Sequence, residues 1–379
     1  MNNSHLARII AETGIRIIGP NTAGHVSAPH NLVSSLFPVG KITHGNISYI
    51  AQTGNFVGNT LRYIMTGENF GVARIVGLGN KIDVDESEIL EYYARDSETK
   101  AIFMYLESFK RPRRFMEFAS ELTRNKPIIF LKGGSTEEGS QAAATHTAAM
   151  ASDERIIYGA LKQAGVTRVD EYSHLILTAK ALSYMPLPKG NRVSFLAPSG
   201  AMLVVLSDLC RQRWGLDVPV LEEATRQRLQ EMSPPWIRMR NPVDIWPATT
   251  LHGIEYSHRE AIEALMKDPN IDAIVLILLL AKEFRIHSLD FIVELAHSYP
   301  DKPLYLTFTG VKKDMETAKT FLETRGVPAF LSIEEPFEVL SILNCCRKAM
   351  ERPVAWCNTG LSYVKSTRPP IRNDKQPRY

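Results

Sequence analysis

The feature that most limits what this chain can become is that its long middle section is written twice. The stretch "NISYIAQTGNFVGNTLRYI" is answered by "NRVSFLAPSGAMLVVLSDL", and in each a β-rich run meets a Thr-Gly or Ser-Gly turn and passes into a helical pattern. Later landmarks recur in the same order: "ARDSETKAIFMYLE" with "MKDPNIDAIVLILLL", "NKPIIFLKGG" with "DKPLYLTFTG", and "QAGVTRVDEYSHLILTAKAL" with "TRGVPAFLSIEEPFEVLSIL". Each unit predicts strands alternating with helices, the pattern of a parallel sheet covered on both faces. The break falls in "YMPLPKGNR", Tyr184 to Arg192, where two prolines and a glycine interrupt the periodicity.

The fold class is therefore α/β, two successive flavodoxin-like doubly wound parallel-sheet domains. With 379 residues, 44% of them apolar, the chain is long enough for two cores, and the second copy, with its own strands and closing helix, is expected to fold by itself. A net charge of +3 with 22% charged residues supplies no strongly basic face, so neither nucleic acid nor an anionic membrane is expected as a partner. The longest apolar run, Ala273 to Ala281, falls far short of the ~20 residues that span a bilayer. The opening "MNNSHLARIIAETG" is amphipathic and lacks the apolar centre of a secretion signal. Cys210, Cys345, Cys346 and Cys357 show no paired or metal-ligand spacing, which fits reduced thiols, a cytoplasmic location and no metal site.

Where the copies differ is as informative as where they agree. Lys126 to Gly165 spans 39 positions but the equivalent Lys302 to Gly326 only 24, so the first copy carries about 15 extra residues. That extra stretch includes "QAAATHTAAMAS", a single imidazole, His146, among small side chains. Read as a loop, it has the slimness needed to approach a ligand or move between sites, and loops on rigid α/β cores commonly carry chemistry. The first copy's turn, Thr53-Gly54-Asn55, ends a strand and opens a helix, whose unpaired first amides and dipole suit a phosphate. Together at the C-terminal edge of one sheet, the two features suggest a phosphorylated histidine docking on those amides.

"IRIIGPNTAGHVS", "ISYIAQTGNFVGNTLRY", "VGLGNKIDVDESEILEYYARDSETKAIFMYLES", "NKPIIFLKGGSTEEGSQAAATHTAAMASD" and "LKQAGVTRVDEYSHLILTAKAL" together resemble the α part of the nucleoside-diphosphate-forming acyl-CoA synthetases. That superfamily includes ADP-forming acetyl-CoA synthetase and succinyl-CoA synthetase, and the resemblance runs through residues 8 to 350. It implies a reversible reaction in which acyl-CoA, ADP and phosphate give carboxylic acid, CoA and ATP through an acyl phosphate and a phosphohistidine. By motif position His146 would be phosphorylated. Glu107 in "MYLES" would accept a hydrogen bond from the imidazole, and Thr53, Gly54 and Asn55 would hold the phosphate. Asn21 in "GPNTAG", with Asn80 and Asp83 in "GNKIDVD", resemble substrate-side motifs, whereas "RNPVDIW", Arg240 to Trp246, reads as packing and domain interface.

The sequence also departs from the family pattern. Thr145 precedes the histidine, Ala148 stands where glycine is usual, Ser152 occupies another small position, and Thr53-Gly54-Asn55 replaces the commoner Ser-Gly-Ala. "LARIIAETGIRIIGPN" resembles the last helix and strand of a Rossmann-type CoA-binding domain. The expected division is a remnant of that domain over 1–25, a first flavodoxin-like domain over 26–187, a second over 188–352 and a tail over 353–379. CoA and ATP or ADP are the implied substrates, with Mg2+ accompanying the nucleotide on a partner domain. The implied partners are an ATP-grasp, β-type subunit or domain, a separate CoA-binding domain and a carboxylic acid or acyl-CoA. An oligomer is expected, and activity only once those parts are supplied. The alternative is a non-catalytic regulatory or binding module, or a truncated product, of the same fold.

Overall fold

The computed structural model describes residues 3–147, 153–281, 286 and 288–352, without the side chains of 3, 4 and 143–147. The first unit contains strands β1 (Gly24–Ser27), β2 (Leu32–Ser35), β3 (His44–Ala51), β4 (Val72–Gly77), β5 (Ala101–Leu106), β6 (Ile128–Lys132) and β7 (Thr167–Val169). Its helices are α1 (Asn3–Thr13), α2 (Leu61–Tyr63), α3 (Glu86–Arg95), α4 (Pro112–Leu122), α5 (Glu137–Thr147), α6 (Glu154–Gln163) and α7 (Tyr172–Tyr184). Segments of π type, Phe56–Thr60 and Ile64–Glu68, extend α2 at both ends. The second unit has β8 (Val193–Ala197), β9 (Val243–Asp244), β10 (Ala273–Leu280), β11 (Leu304–Gly310) and β12 (Ala329–Phe330). Around these lie α8 (Gly200–Leu209), α9 (Glu223–Glu231), α10 (Trp246–His252), α11 (Ile254–Lys267), α12 (Asp290–Ser298), α13 (Lys312–Glu323) and α14 (Glu335–Met350).

The sheets carry the repeat in three dimensions. The first contains β4-β3-β5-β6-β7 and the second β9-β8-β10-β11-β12, parallel throughout and in matching chain order. Alternation along the strands sorts side chains between the two helical layers: Tyr49 and Phe103 enter one core of the first unit, Ile50, Ile102 and Met104 the other. Because helices cover both faces, β6 and β8 are buried at every residue, as their unbroken apolar runs require. Among the described residues no helix is long and apolar enough to cross a membrane. Cys210, Cys345 and Cys346 are free thiols, and Cys357 lies outside the described residues.

Three features differ from the sequence-based expectation. The first sheet has seven strands, because an antiparallel β1–β2 hairpin is laid along β4, with Val26 opposite Val33 on one side and Ile75 on the other. The segment expected to be a loop around His146 is helical through Thr147, in keeping with the high helix propensity of its alanines and with Glu137 and Glu138 at the positive end of the helix dipole. Ala148, Ser152 and the tail after residue 352 lie outside the described residues. No strand forms over residues 15–20. That stretch docks on the 80–84 segment, where Ile82 N–H donates to Gly19 O and Val84 N–H to Ile17 O.

The closing helices, α7 and α14, pack on each other and join the units. Leu177 and Ala181 of α7 enter the second unit's core, and Cys346 of α14 enters the first's. Between the units Lys180 Nζ, fully buried, lies 2.6 Å from Glu68 and 2.9 Å from Glu323, and Lys319 lies 3.3 Å and 2.9 Å from the same two carboxylates. Two cations and two anions balance, and Lys180 gives another hydrogen bond to Ala329 O. Such groups tolerate burial only when paired. "RNPVDIW" serves packing: Asn241 donates to Val193 O and Pro219 O, and Val243 and Ile245 are fully buried in the second core.

Candidate functional site

The C-terminal ends of β3, β4, β5 and β6 gather the residues singled out by sequence. After β3 the chain turns at Thr53-Gly54-Asn55 into the helix that starts at Phe56. Thr53 Oγ1 accepts a hydrogen bond from Asn55 N–H at 3.2 Å, which fixes the turn, and the amides of the first helical turn have no carbonyl partner within the helix. The Asn55 side chain points elsewhere: its amide donates to Tyr172 OH at 3.1 Å and to Thr60 Oγ1 at 3.4 Å, tying the turn to α7. Gly54 lies close to Ala23, where an added Cβ would come within 3.1 Å of the alanine methyl.

Gln52, just before the turn, was not foreseen from sequence. Its buried carboxamide oxygen accepts hydrogen bonds from Glu107 N–H at 3.0 Å and Ser108 N–H at 3.2 Å, so the phosphate turn and the end of β5 move as one piece. Glu107 itself is 6% exposed, and Tyr105 OH donates to its Oε1 at 3.3 Å. Burial, then the Glu107 charge, push the Tyr105 hydroxyl up to about 12, so it remains a donor at neutral pH. Lys132, the last residue of β6, was also not foreseen: its ammonium donates to Glu107 O at 2.8 Å and to Gly133 O. Burial holds that lysine below its ordinary range, against the opposing pull of Glu154 and Glu107.

The peptide leading into α5 passes directly over this carboxylate. A Cβ on Gly133 would lie 2.6 Å from Tyr105 OH and 3.0 Å from Glu107 Cγ, so only glycine fits there. The helix that carries His146 thus starts from a segment packed on the Glu107 side chain. The His146 side chain lies outside the described residues.

The substrate-side residues separate into two groups. Asn21 and Asn80 meet, Nδ2 to Oδ1, at 3.4 Å. Their loops cross where Gly79 has φ +56° and any Cβ would collide with the Pro20 carbonyl oxygen. Asp83 faces away: it accepts from Arg16 Nε at 2.9 Å and from Ile17 N–H at 2.8 Å, and so anchors the segment that precedes Asn21. Its signal, an Asp after a strand, did not reveal a partner 67 residues away. A cavity of about 230 Å³ joins Asn21, Gly79, Gln52, Thr53 and Gly54, and among the described residues no ionisable side chain lines it. Backbone amides, hydroxyls and carboxamides in a charge-free recess can hold an anion through hydrogen bonds and the helix dipole.

This geometry has relatives of known name. Residues 44–182 match the family described as succinyl-CoA ligase like flavodoxin domain. The chain is 34% identical over 341 residues to acetate--CoA ligase [ADP-forming] II of Archaeoglobus fulgidus, covering 88% of this chain and 49% of that protein. It is likewise 34% identical over 338 residues to the α subunit of acetate--CoA ligase [ADP-forming] II of Pyrococcus furiosus, covering 88% of this chain and 71% of that subunit. Among solved structures, the dinucleotide-forming acetyl-coenzyme A synthetase 1 of Ca. Korarchaeum cryptofilum, in complex with phosphate and ADP, superposes with a TM-score of 0.84 at 28% identity, covering 92% of this chain and 74% of that one. The chain spans about half the length of the Archaeoglobus relative and most of the Pyrococcus subunit. With two flavodoxin-like units in this order and the Thr53-Gly54-Asn55 turn at the head of the first, it belongs to the nucleoside-diphosphate-forming acyl-CoA synthetase family, as an α-type chain.

Proposed function

We propose that the chain is the α-type component of an ADP-forming acyl-CoA synthetase that relays a phosphoryl group through His146. In the direction of ATP synthesis, phosphate attacks the acyl-CoA carbonyl and CoA thiolate leaves, giving an acyl phosphate. The neutral His146 imidazole then attacks phosphorus and the carboxylate leaves. ADP takes the phosphoryl group from His146 to give ATP, and the imidazole returns to its starting state.

Each residue has a role in that sequence. The amides of Thr53 and Gly54 hold the phosphoryl oxygens, Asn55 shapes the turn through its N–H on Thr53 Oγ1, and the Gln52 side chain keeps the turn in register with Glu107. Glu107 accepts the imidazole N–H, fixes the tautomer and stabilises the ring when transfer makes it cationic. Lys132 and Tyr105 hold Glu107 in place. Asn21 and Asn80 offer carboxamides to the acyl carbonyl, and Asp83 positions the chain before Asn21 through Arg16. The nucleotide with its Mg2+ sits on an ATP-grasp partner, and CoA on a Rossmann-type domain. The observation that carries the reading is the seating of Gly133 against Glu107, which ties the His146 segment to the sheet edge that bears the phosphate turn.

The test is phosphate transfer from γ-labelled ATP in the presence of the nucleotide-binding partner. An acid-labile, base-stable label lost in His146→Asn is expected. Undiminished labelling of that variant overturns the role of His146, and absence of any label on the native chain supports a non-catalytic module instead.

A further inference from the structure

The cavity beside the phosphate turn has a second wall with no counterpart in the other half of the molecule. The β1–β2 hairpin runs on into Leu36 and Phe37, which line the cavity opposite Thr53 and Gly54. This arm is fixed in place: Leu36 N–H donates to Ala23 O at 3.0 Å, Phe37 N–H to Ser35 Oγ at 3.1 Å. The Phe37 ring is seated on the helix that follows the turn, since a Cβ on Gly58 would come within 2.7 Å of it. Yet Leu36 is 79% and Phe37 40% exposed. Two large apolar side chains held open to solvent beside a polar anion recess form a contact surface for an apolar group attached to the anion.

Size limits what that group can be. At about 30 Å³ per water, the 230 Å³ cavity holds roughly seven or eight water-sized volumes, and phosphate takes less than half of them. The remainder, on the Leu36 and Phe37 side, suits a short acyl chain while Phe37 stays on Gly58.

We infer that Leu36 and Phe37 form the acyl-chain wall of the site, and that the Phe37 ring, stopped by Gly58, sets the longest acyl group admitted. The inference rests on the function proposed above. Phe37 is a specificity-determining residue, and its truncation opens the wall toward the helix after the phosphate turn.

The test compares kcat/KM for acetate, butyrate and phenylacetate in the complete enzyme, this chain with its nucleotide- and CoA-binding parts, for native Phe37, Phe37→Leu and Phe37→Ala. In Phe37→Ala the phenylacetate-to-acetate ratio is expected to rise about 10- to 200-fold, the range a hydrophobic pocket achieves per methylene, with Phe37→Leu between. An unchanged ratio, or equal loss on all three acids, overturns the inference. Labelling of His146 from ATP involves no acyl group, so a normal label with an unchanged ratio condemns this inference alone, whereas a missing label condemns the functional reading. A measurement that needs no turnover completes the test. Leu36 methyl resonances, assigned by their loss in Leu36→Ala, are expected to shift with butyryl phosphate and not with phosphate alone; no shift overturns the inference whatever the activity.

Discussion

Lys126 and Lys302 stand at the same place in the two halves of the molecule and do the same work. Each precedes a proline and a buried strand, and each donates to carbonyls at the C-terminal end of the helix that leads into the neighbouring strand, α3 or α11: Lys126 to Tyr93 O, Ala94 O and Asp96 O, Lys302 to Leu265 O and Asp268 O. Burial lowers both lysines from their ordinary range, and the helix dipole favours a cation at that end. Against this shared frame the first half carries two additions, the β1–β2 hairpin and the stretch between β6 and α6. Both meet at the phosphate turn: the hairpin brings Leu36 and Phe37 to the cavity, and the inserted stretch starts at Gly133 on Glu107. In the second half, β11 passes to α13 through Val311 alone, and the edge strand β9 has two residues where β4 has six. The comparison teaches that the duplicated frame supplies rigidity and the sheet edge with Thr53, Gly54 and Glu107, while the hairpin wall and the His146 stretch are additions that only the first copy carries.

The largest expected effect concerns the site that only the first half holds. Glu107→Gln keeps the size of the side chain but removes its charge, so on the proposed mechanism labelling of His146 should slow on the order of 10²-fold or more. A rapid-quench time course checks this, and an unchanged rate removes Glu107 from the mechanism. Next comes the joint between the halves. Lys180→Met strands Glu68 and Glu323 with one cation, and loss of about 3–5 kcal/mol in denaturant unfolding is expected, with both halves affected because α7 belongs to both cores. A loss below 1 kcal/mol would mean that the cluster contributes little to holding the units together.

Smaller effects test the shared frame itself. Lys126→Met and Lys302→Met should each cost about 1.5–3 kcal/mol, the range for hydrogen bonds from a charged donor, and by similar amounts. Widely unequal losses would break the equivalence of the halves. The last effect is a pH slope common to both. Burial pushes the Asp96 and Asp272 carboxyls up, yet hydrogen bonds and charge from their partners, chiefly Arg74 with Thr99 and Arg192, together hold them below the usual 3.8. For a carboxylate depressed on folding, the stabilising contribution is complete above the unfolded value of 3.8 and is lost as pH falls through the folded one. Melting temperature should therefore drop below about pH 4, and the Asp96→Asn and Asp272→Asn variants should each show a shallower drop.

How much of this was legible beforehand follows from the range of the contacts involved. Buried strands such as Ile128–Lys132 and Val193–Ala197 announce themselves through continuous apolar runs, and the turn at Thr53-Gly54-Asn55 through the strand and helix on either side. The hairpin did not, because β1 and β2 have four residues each and β2 is almost wholly exposed, which leaves no alternation to read. Neither did the helical state of the His146 segment, where small residues read as a loop although alanine is the best helix former. Gln52 with Ser108, Arg16 with Asp83 and Glu68 with Lys180 are partners 56, 67 and 112 residues apart, and no local pattern encodes such pairs.

The central claim is that the stretch carrying His146 is an addition to a frame common to both halves, and one deletion tests it. Removing residues 135–152 joins Gly134 to Asp153, the cap of α6, as Gly310–Val311 joins β11 to α13. The shortened chain, with the nucleotide-binding partner and γ-labelled ATP, is expected to keep a cooperative melting transition and mixed α/β circular dichroism while taking up no label. Label retained on the shortened chain, or loss of the folded state, would contradict the claim.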